Sequence, residues 1–192
     1  MVTVGLTAYF ITKEPLEHTA PLQIYRTEAG EQKSVTLEDG SVLTLNTSSK
    51  LYVNYDEKSR HITLQRGEVF FDVQKDPLRP FSIDLGEHAV TVLGTEFNVY
   101  RQPGRYQVSV VEGVVAFHQA EATVQQDSPS LAEGVRADSA QSNVYVKKPG
   151  QRRITAGWVA EYDIAKNSMS GHVPEKMDEL LQWRTGMIEF HK

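Results

Sequence analysis

The sequence contains no cysteine, so thiol catalysis, disulfide scaffolding and thiolate metal ligation are excluded together. It has no excess of basic residues either: 20 Lys and Arg stand against 25 Asp and Glu, for a net charge of −5. A nucleic-acid binder needs a clustered basic face to neutralise phosphates. The richest local groups, Lys147-Lys148 and Arg152-Arg153 around Pro149-Gly150, read as a solvated turn on a loop, so no nucleic-acid partner is expected. Long hydrophobic runs are also missing. The apolar start, Val2 to Ile11, is about half of the roughly 20 residues that a bilayer-spanning helix needs. It lacks the basic start and small-residue cleavage site of a signal peptide. A strand, an interfacial stub and the outer end of a transmembrane helix all fit it, with Val, Thr, Tyr, Phe and Ile favouring the strand.

Catalytic signatures are equally scarce. No Gly-x-Ser-x-Gly elbow, phosphate loop or paired-carboxylate motif occurs. Of the six histidines, His18, His61, His88, His118, His172 and His191, no two have the i, i+2 or i, i+4 spacing that aims both at one metal. The expectation is a non-enzymatic protein without metal or cofactor.

What is present is β-structure. The 192 residues are 40% apolar and 23% charged, an ordinary globular balance. From Gln23 to Gln119 the apolar runs are short, β-branched or aromatic, and end in Gly, Pro, Asn or Asp. In S-V-T-L-E-D-G-S-V-L-T-L, a three-residue loop Glu38-Asp39-Gly40 pairs Leu37 with Ser41 and Val35 with Leu43. Val35, Leu37, Leu43 and Leu45 then share one face, and Gly40 takes the left-handed position that such loops favour. A turn centred on Pro103-Gly104 pairs Val99 with Val108 and Phe97 with Val110. Glycine recurs before apolar runs ending in Phe: Gly67 to Phe71, Gly113 to Phe117 and Gly186 to Phe190. A glycine between two apolar halves suggests a strand that bends at a corner. Gly94, just before the strand Glu96 to Tyr100, reads as a bulge or close backbone approach rather than a ligand notch. Gly40, Gly67, Gly94, Gly113 and Gly186 are thus expected in turn, bulge or corner geometry.

After Gln119 the chain turns polar. Strands are expected to resume at Val144 to Val146 and at Ile154 to Tyr162, and Pro174 to Trp183 has Met177, Leu180 and Leu181 at helical spacing. The expected fold is all-β, an antiparallel β-sandwich or roll with short solenoid-like corners, plus a short C-terminal helix. Its parts are a membrane-proximal segment or N-terminal strand over residues 1–22, a β domain over 23–119, and a β extension over 120–192. Exposed aromatics would favour a different role. Tyr52, Tyr55, Tyr100, Tyr106 and Trp158 could stack on sugars, as in a glycan- or small-ligand-binding β-sandwich module of the cell envelope.

The order of motifs resembles the FecR family. It runs Ala29-Gly30-Glu31, Val35-Thr36-Leu37-x-Asp39-Gly40-Ser41, Leu45-Asn46 and Gly67-Glu68-Val69-Phe70-Phe71-x-Val73. Arg79-Pro80-Phe81 and Val92-Leu93-Gly94-Thr95-x-Phe97-x-Val99 follow, all within Tyr25 to Phe117. Leu131-x-x-Gly134 continues it more loosely, and Trp183-x-x-Gly186-x-Ile188-x-Phe190 is similar to the segment that opens the family's next domain. The resemblance implies the periplasmic part of a single-pass inner-membrane anti-sigma regulator. Such a part senses the signalling domain of an outer-membrane TonB-dependent receptor. The sigma factor would be reached only through a cytoplasmic domain absent here. The resemblance further implies a small C-terminal signalling domain that often follows Gly186 to Phe190, expected outside this sequence. The receptor-facing surface is expected around Trp183, Met187, Ile188 and Phe190.

Overall fold

Alternating apolar positions, punctuated by turn residues, divide the chain into short strands. The computed structural model describes residues 22–120 and 150–185. Its strands are β1 (Gln23–Arg26), β2 (Lys33–Thr36), β3 (Val42–Leu45), β4 (Lys50–Tyr55), β5 (Arg60–Asp72), β6 (Phe81–Asp84) and β7 (His88–Val92). Then come β8 (Glu96–Gln102), β9 (Arg105–Glu112), β10 (Val114–Gln119), β11 (Arg152–Thr155), β12 (Val159–Asp163) and β13 (Ser168–His172). A helix, α1 (Met177–Leu180), and a 3-10 turn, Gln182–Thr185, end the described chain. The expected strand at Val144 to Val146, the apolar start Val2 to Ile11 and the glycine Gly186 lie outside the described residues.

The strands form two layers, and β5 belongs to both. Its first half pairs with β4 and β6, and its second half with β3 and β8. The first layer runs β1-β4-β5-β6-β7-β10-β11 and the second β2-β3-β5-β8-β9-β12-β13. Gly67, at φ +90°, marks the bend where β5 changes layer. A Cβ there would stand 2.3 Å from Ser49 Oγ and 2.5 Å from Ser49 Cα, so the β3–β4 connection lies directly against it. Gly113 and Gly157, also at positive φ, stand where β9 passes to β10 and β11 to β12. Gly94, between β7 and β8, owes its place to crowding rather than φ: a Cβ would lie 2.6 Å from Lys75 Cα. Backbone bonds from Val73 N to Thr95 O (3.1 Å), Asp76 N to Leu93 O (2.9 Å) and Ala156 N to Gly113 O (3.1 Å) stack these crossings into a solenoid-like side.

Both hairpins take the register read from the alternation. Val35 faces Leu43, Leu37 N bonds Ser41 O at 2.8 Å, and Gly40 has φ +83°. Phe97 faces Val110, and Val99 faces Val108. Between the layers Leu43, Leu45, Ile62, Phe71, Phe81 and Phe97 are fully buried, each contributing about 1.5–3 kcal/mol. Phe71 stacks on Phe97 (centroids 5.1 Å apart) and meets Phe81 of the other layer edge-on at 6.1 Å.

Three details depart from the sequence reading. The sheet is not wholly antiparallel, because β5 and β6 run parallel. Having crossed into the second layer, the chain must return through residues 73–80 to lie beside the start of β5. Buried Arg60 fastens that return: its Nε donates to Arg79 O at 2.8 Å, and Nη1 to Gln74 O at 2.9 Å. Nη1 also meets Asp39 Oδ2 at 2.8 Å, with both side chains buried. Burial opposes the charge on Asp39, but hydrogen bonds from Arg60 and from the Ser41 hydroxyl and amide outweigh it, and the carboxyl is held below its usual range. Secondly, Ile154 to Tyr162 is two strands, split by the Gly157 corner and sent to different layers, and β13 follows them. This places Arg152 and Arg153 in a strand rather than a loop. Finally, α1 is shorter than the Pro174 to Trp183 spacing suggests. Lys176 provides no side-chain cap, and Leu181 leaves helical geometry at φ −110°, ψ 6°.

Candidate interaction surface

Side chains on the outer face of the second layer should alternate with core residues and meet solvent, yet one row does not. Val159, Ser109, Asn98 and Phe70 stand opposite one another across β12, β9, β8 and β5, and all are buried. Residues 173–185 form a strap on this side. It leaves β13 at one edge of the layer and reaches β2 at the other, where Gln32 Nε2 donates to Trp183 O at 2.8 Å. Leu181 of the strap is buried, and the Arg184 guanidinium lies 3.8 Å from the centre of the Phe70 ring.

A polar chain runs beneath the strap's end. Gln32 also donates to Asn46 Oδ1 (3.1 Å), Asn46 Nδ2 to Glu68 Oε2 (2.8 Å), and Asn98 Nδ2 to Glu68 Oε1 (2.8 Å). Asn98 Oδ1 and Trp183 Nε1 are buried without a hydrogen-bond partner. A buried unpaired polar atom costs about 1–3 kcal/mol, which lowers the energy needed to lift the strap. Of the expected contact residues, Trp183 is thus half-buried and fixed through its carbonyl. Met187, Ile188 and Phe190 lie outside the described residues. The polar chain has no signature in the sequence, because Gln32, Asn46, Glu68 and Asn98 have no common spacing.

The other candidates disperse. Tyr55 and Tyr106 are buried in the core, Tyr52 and Tyr100 sit half-buried on different layers, and Trp158 is exposed, so these residues form no row for stacking a sugar. A cavity of about 460 Å³ does touch Gly94 and Thr95. Its hydroxyls are engaged internally, Thr95 Oγ1 with Val114 O and Thr91 Oγ1 with His118 Nε2. Among the described residues no group of three or more His, Asp or Glu is placed to hold a metal ion. No helix among them is long and apolar enough to cross a membrane.

His88 occupies an aromatic nest, 5.1 Å from Phe117 and 4.1 Å from Tyr162 between ring centres, with Nδ1 buried and unpartnered. Burial lowers its pKa from 6.5, while the Glu87 carboxylate pulls the other way. Below pH 6.5 the unfolded chain therefore binds a proton that the folded chain resists. Stability is complete above that pH and declines as acid carries the solution through it. The melting midpoint should fall from about pH 7.5 to about pH 5.5, and His88→Phe should flatten that fall without weakening the fold at neutral pH. An unchanged slope in the variant would remove His88 from the account.

Comparison with known proteins gives a consistent result. Residues 23–116 match the profile of the FecR family, described as FecR protein. No curated protein matches the sequence. Two crystal structures of a protein provisionally described as an anti-sigma factor, from Parabacteroides distasonis ATCC 8503, share the fold. At 2.50 Å resolution the TM-score is 0.65 with 22% identity, covering 86% of this chain and 66% of that one. At 1.65 Å the TM-score is 0.64 with 22% identity, covering 85% and 65%. The chain therefore spans just under two thirds of the solved protein it resembles.

Proposed function

We propose, from the premise that residues 23–116 belong to the FecR family, that this chain is the envelope-side signalling part of an anti-sigma regulator. It acts through protein contacts rather than through a reaction. In this reading it lies in the periplasm, in a protein anchored by a single membrane pass. It meets the signalling domain of an outer-membrane TonB-dependent receptor and relays the receptor's state toward an extracytoplasmic-function sigma factor. The sigma factor itself is contacted elsewhere in the full-length protein.

The observation that supports this reading best is the strap. It lays a removable segment across one layer and fastens Trp183 to Gln32, shortly before Met187, Ile188 and Phe190. A partner that engages those residues acts on a segment with two buried unpaired polar atoms in its contact layer. A signal requires a surface whose state differs with and without partner, and a weakly held strap provides one.

The test is a titration of the chain with the signalling domain of a co-encoded outer-membrane receptor, repeated after deletion of Trp183 to Lys192. Saturable binding that is lost on deletion, with the β-sheet circular dichroism retained, is the expected result. Binding that survives the deletion would move the contact away from the strap. No binding by the intact chain would overturn the relay role of this part.

A further inference from the structure

The two layers do not end together. β9 and β10 form one rung joined at Gly113, and β11 and β12 form the next, joined through Gly157. The second layer then adds β13, which pairs with β12, while the first layer stops at β11, which among the described residues pairs with β10 alone. Opposite β13 the first layer has no strand among those residues. The gap is a mouth of about 290 Å³ lined by Ile154, Trp158, Ala160 and Met169. Trp158 lies on the backbone of Gly171 yet is 44% exposed.

The charge at this mouth is one-sided. Arg152 and Arg153 of β11 both line it and both are exposed. No carboxylate among the described residues lines it. Among the described residues neither Arg152 nor Arg153 has an acidic partner. In a chain of net charge −5 two adjacent arginines, without an acidic partner among the described residues and on a strand edge unpaired among them, are a local exception. Charges on an edge discourage pairing with arbitrary chains and leave it open to a chain of opposite sign.

We propose that the mouth between β11 and β13 docks an extended, acidic segment of a partner protein. The segment adds to the edge of β11 that has no strand partner among the described residues, and lies opposite β13. Main-chain hydrogen bonds to Arg152–Thr155 give affinity, and alternate side chains give selectivity. Inward-pointing apolar side chains fill the space between Ile154, Ala160 and Met169 beneath Trp158. Outward-pointing acidic side chains pair with Arg153, which lies on the face of β11 opposite buried Ile154. This surface is distinct from the strap's end at β2, so its failure would leave the receptor titration unaffected.

The probe is a fluorescein-labelled peptide of alternating glutamate and valine, compared with its lysine–valine counterpart by fluorescence anisotropy on the full chain. The acidic peptide is expected to bind with a Kd on the order of 100 µM, and the basic one at least about tenfold more weakly. Arg152→Glu with Arg153→Glu should reverse the preference. Both positions are exposed, and Trp158→Ser, which weakens binding without touching charge, gives a second variant should the first not fold. Amide resonances of Arg152–Thr155 should shift and gain exchange protection. Equal binding of both peptides, binding unchanged in the variants, or no saturable binding up to about 1 mM would overturn the proposal. So would a concentration-dependent dimer abolished by the double arginine variant, since the occupant would then be a second copy.

Discussion

Arg60→Ala is expected to remove about 3–5 kcal/mol of folding stability, as a loss measured by urea unfolding at neutral pH. The side chain is fully buried, and its loss leaves two kinds of buried group without a partner. The Asp39 carboxylate, only 3% exposed as a side chain, would retain charge with only Ser41 to bond it. The carbonyls of Gln74 and Arg79 would lose their donor, and with them the parallel return of β6 would lose its fastening. Removing both charges tests the account. Arg60→Met combined with Asp39→Asn should cost clearly less than the sum of the two single changes, because no isolated buried charge remains. A loss below about 1 kcal/mol in Arg60→Ala would mean that water reaches these groups, and the clip would not be what holds the return.

Gly67→Ala is the second large effect, with an expected loss of about 2–4 kcal/mol, the sum of a backbone cost and a crowding cost. Positive φ alone costs an alanine on the order of 1 kcal/mol. Here the added Cβ would also meet Ser49 Cα at 2.5 Å, which is backbone and cannot swing aside. The β3–β4 connection would have to shift, and crowding of this kind costs about 1–3 kcal/mol more. Gly104 is the matched control: its φ is +79°, and nothing lies within 4 Å of a methyl added there. Gly104→Ala should therefore show the φ cost alone. Equal losses in the two variants would mean that the corner yields, and that Ser49 is not the constraint.

The features legible in the sequence are those set by local alternation and punctuation. Val35, Leu37, Leu43 and Leu45 fix their hairpin once Gly40 is granted a left-handed turn, and Phe97 to Val110 follows from Pro103-Gly104 in the same way. Arg60 is illegible, because R-H-I-T-L-Q-R reads as the polar start of a strand. Its burial depends on carbonyls 14 and 19 residues away and on a carboxylate 21 residues away. β13, S-M-S-G-H, has no β-branched or aromatic residue and exists through its pairing with β12. Gly157 reads as an interruption of one strand, although it turns the chain into the other layer. The buried row from Val159 to Phe70 is visible only with the strap in place, since its residues come from four strands. The candidate contact residues rest on family resemblance, and the structure adds the way in which the segment before them is held.

β5 has a further consequence. Arg60–Thr63 are bracketed by β4 and β6, and Val69–Asp72 by β3 and β8, so one continuous strand is the spine of both layers. Melting of either layer is therefore expected to draw in the strand that holds the other. Amide protons at the ends of β5 should exchange only through global opening, whereas those of the peripheral strands β1, β2 and β13 exchange through local fraying. Under the proposed relay, a push delivered at the strap would pass to the far layer as the tilt of a stiff rod.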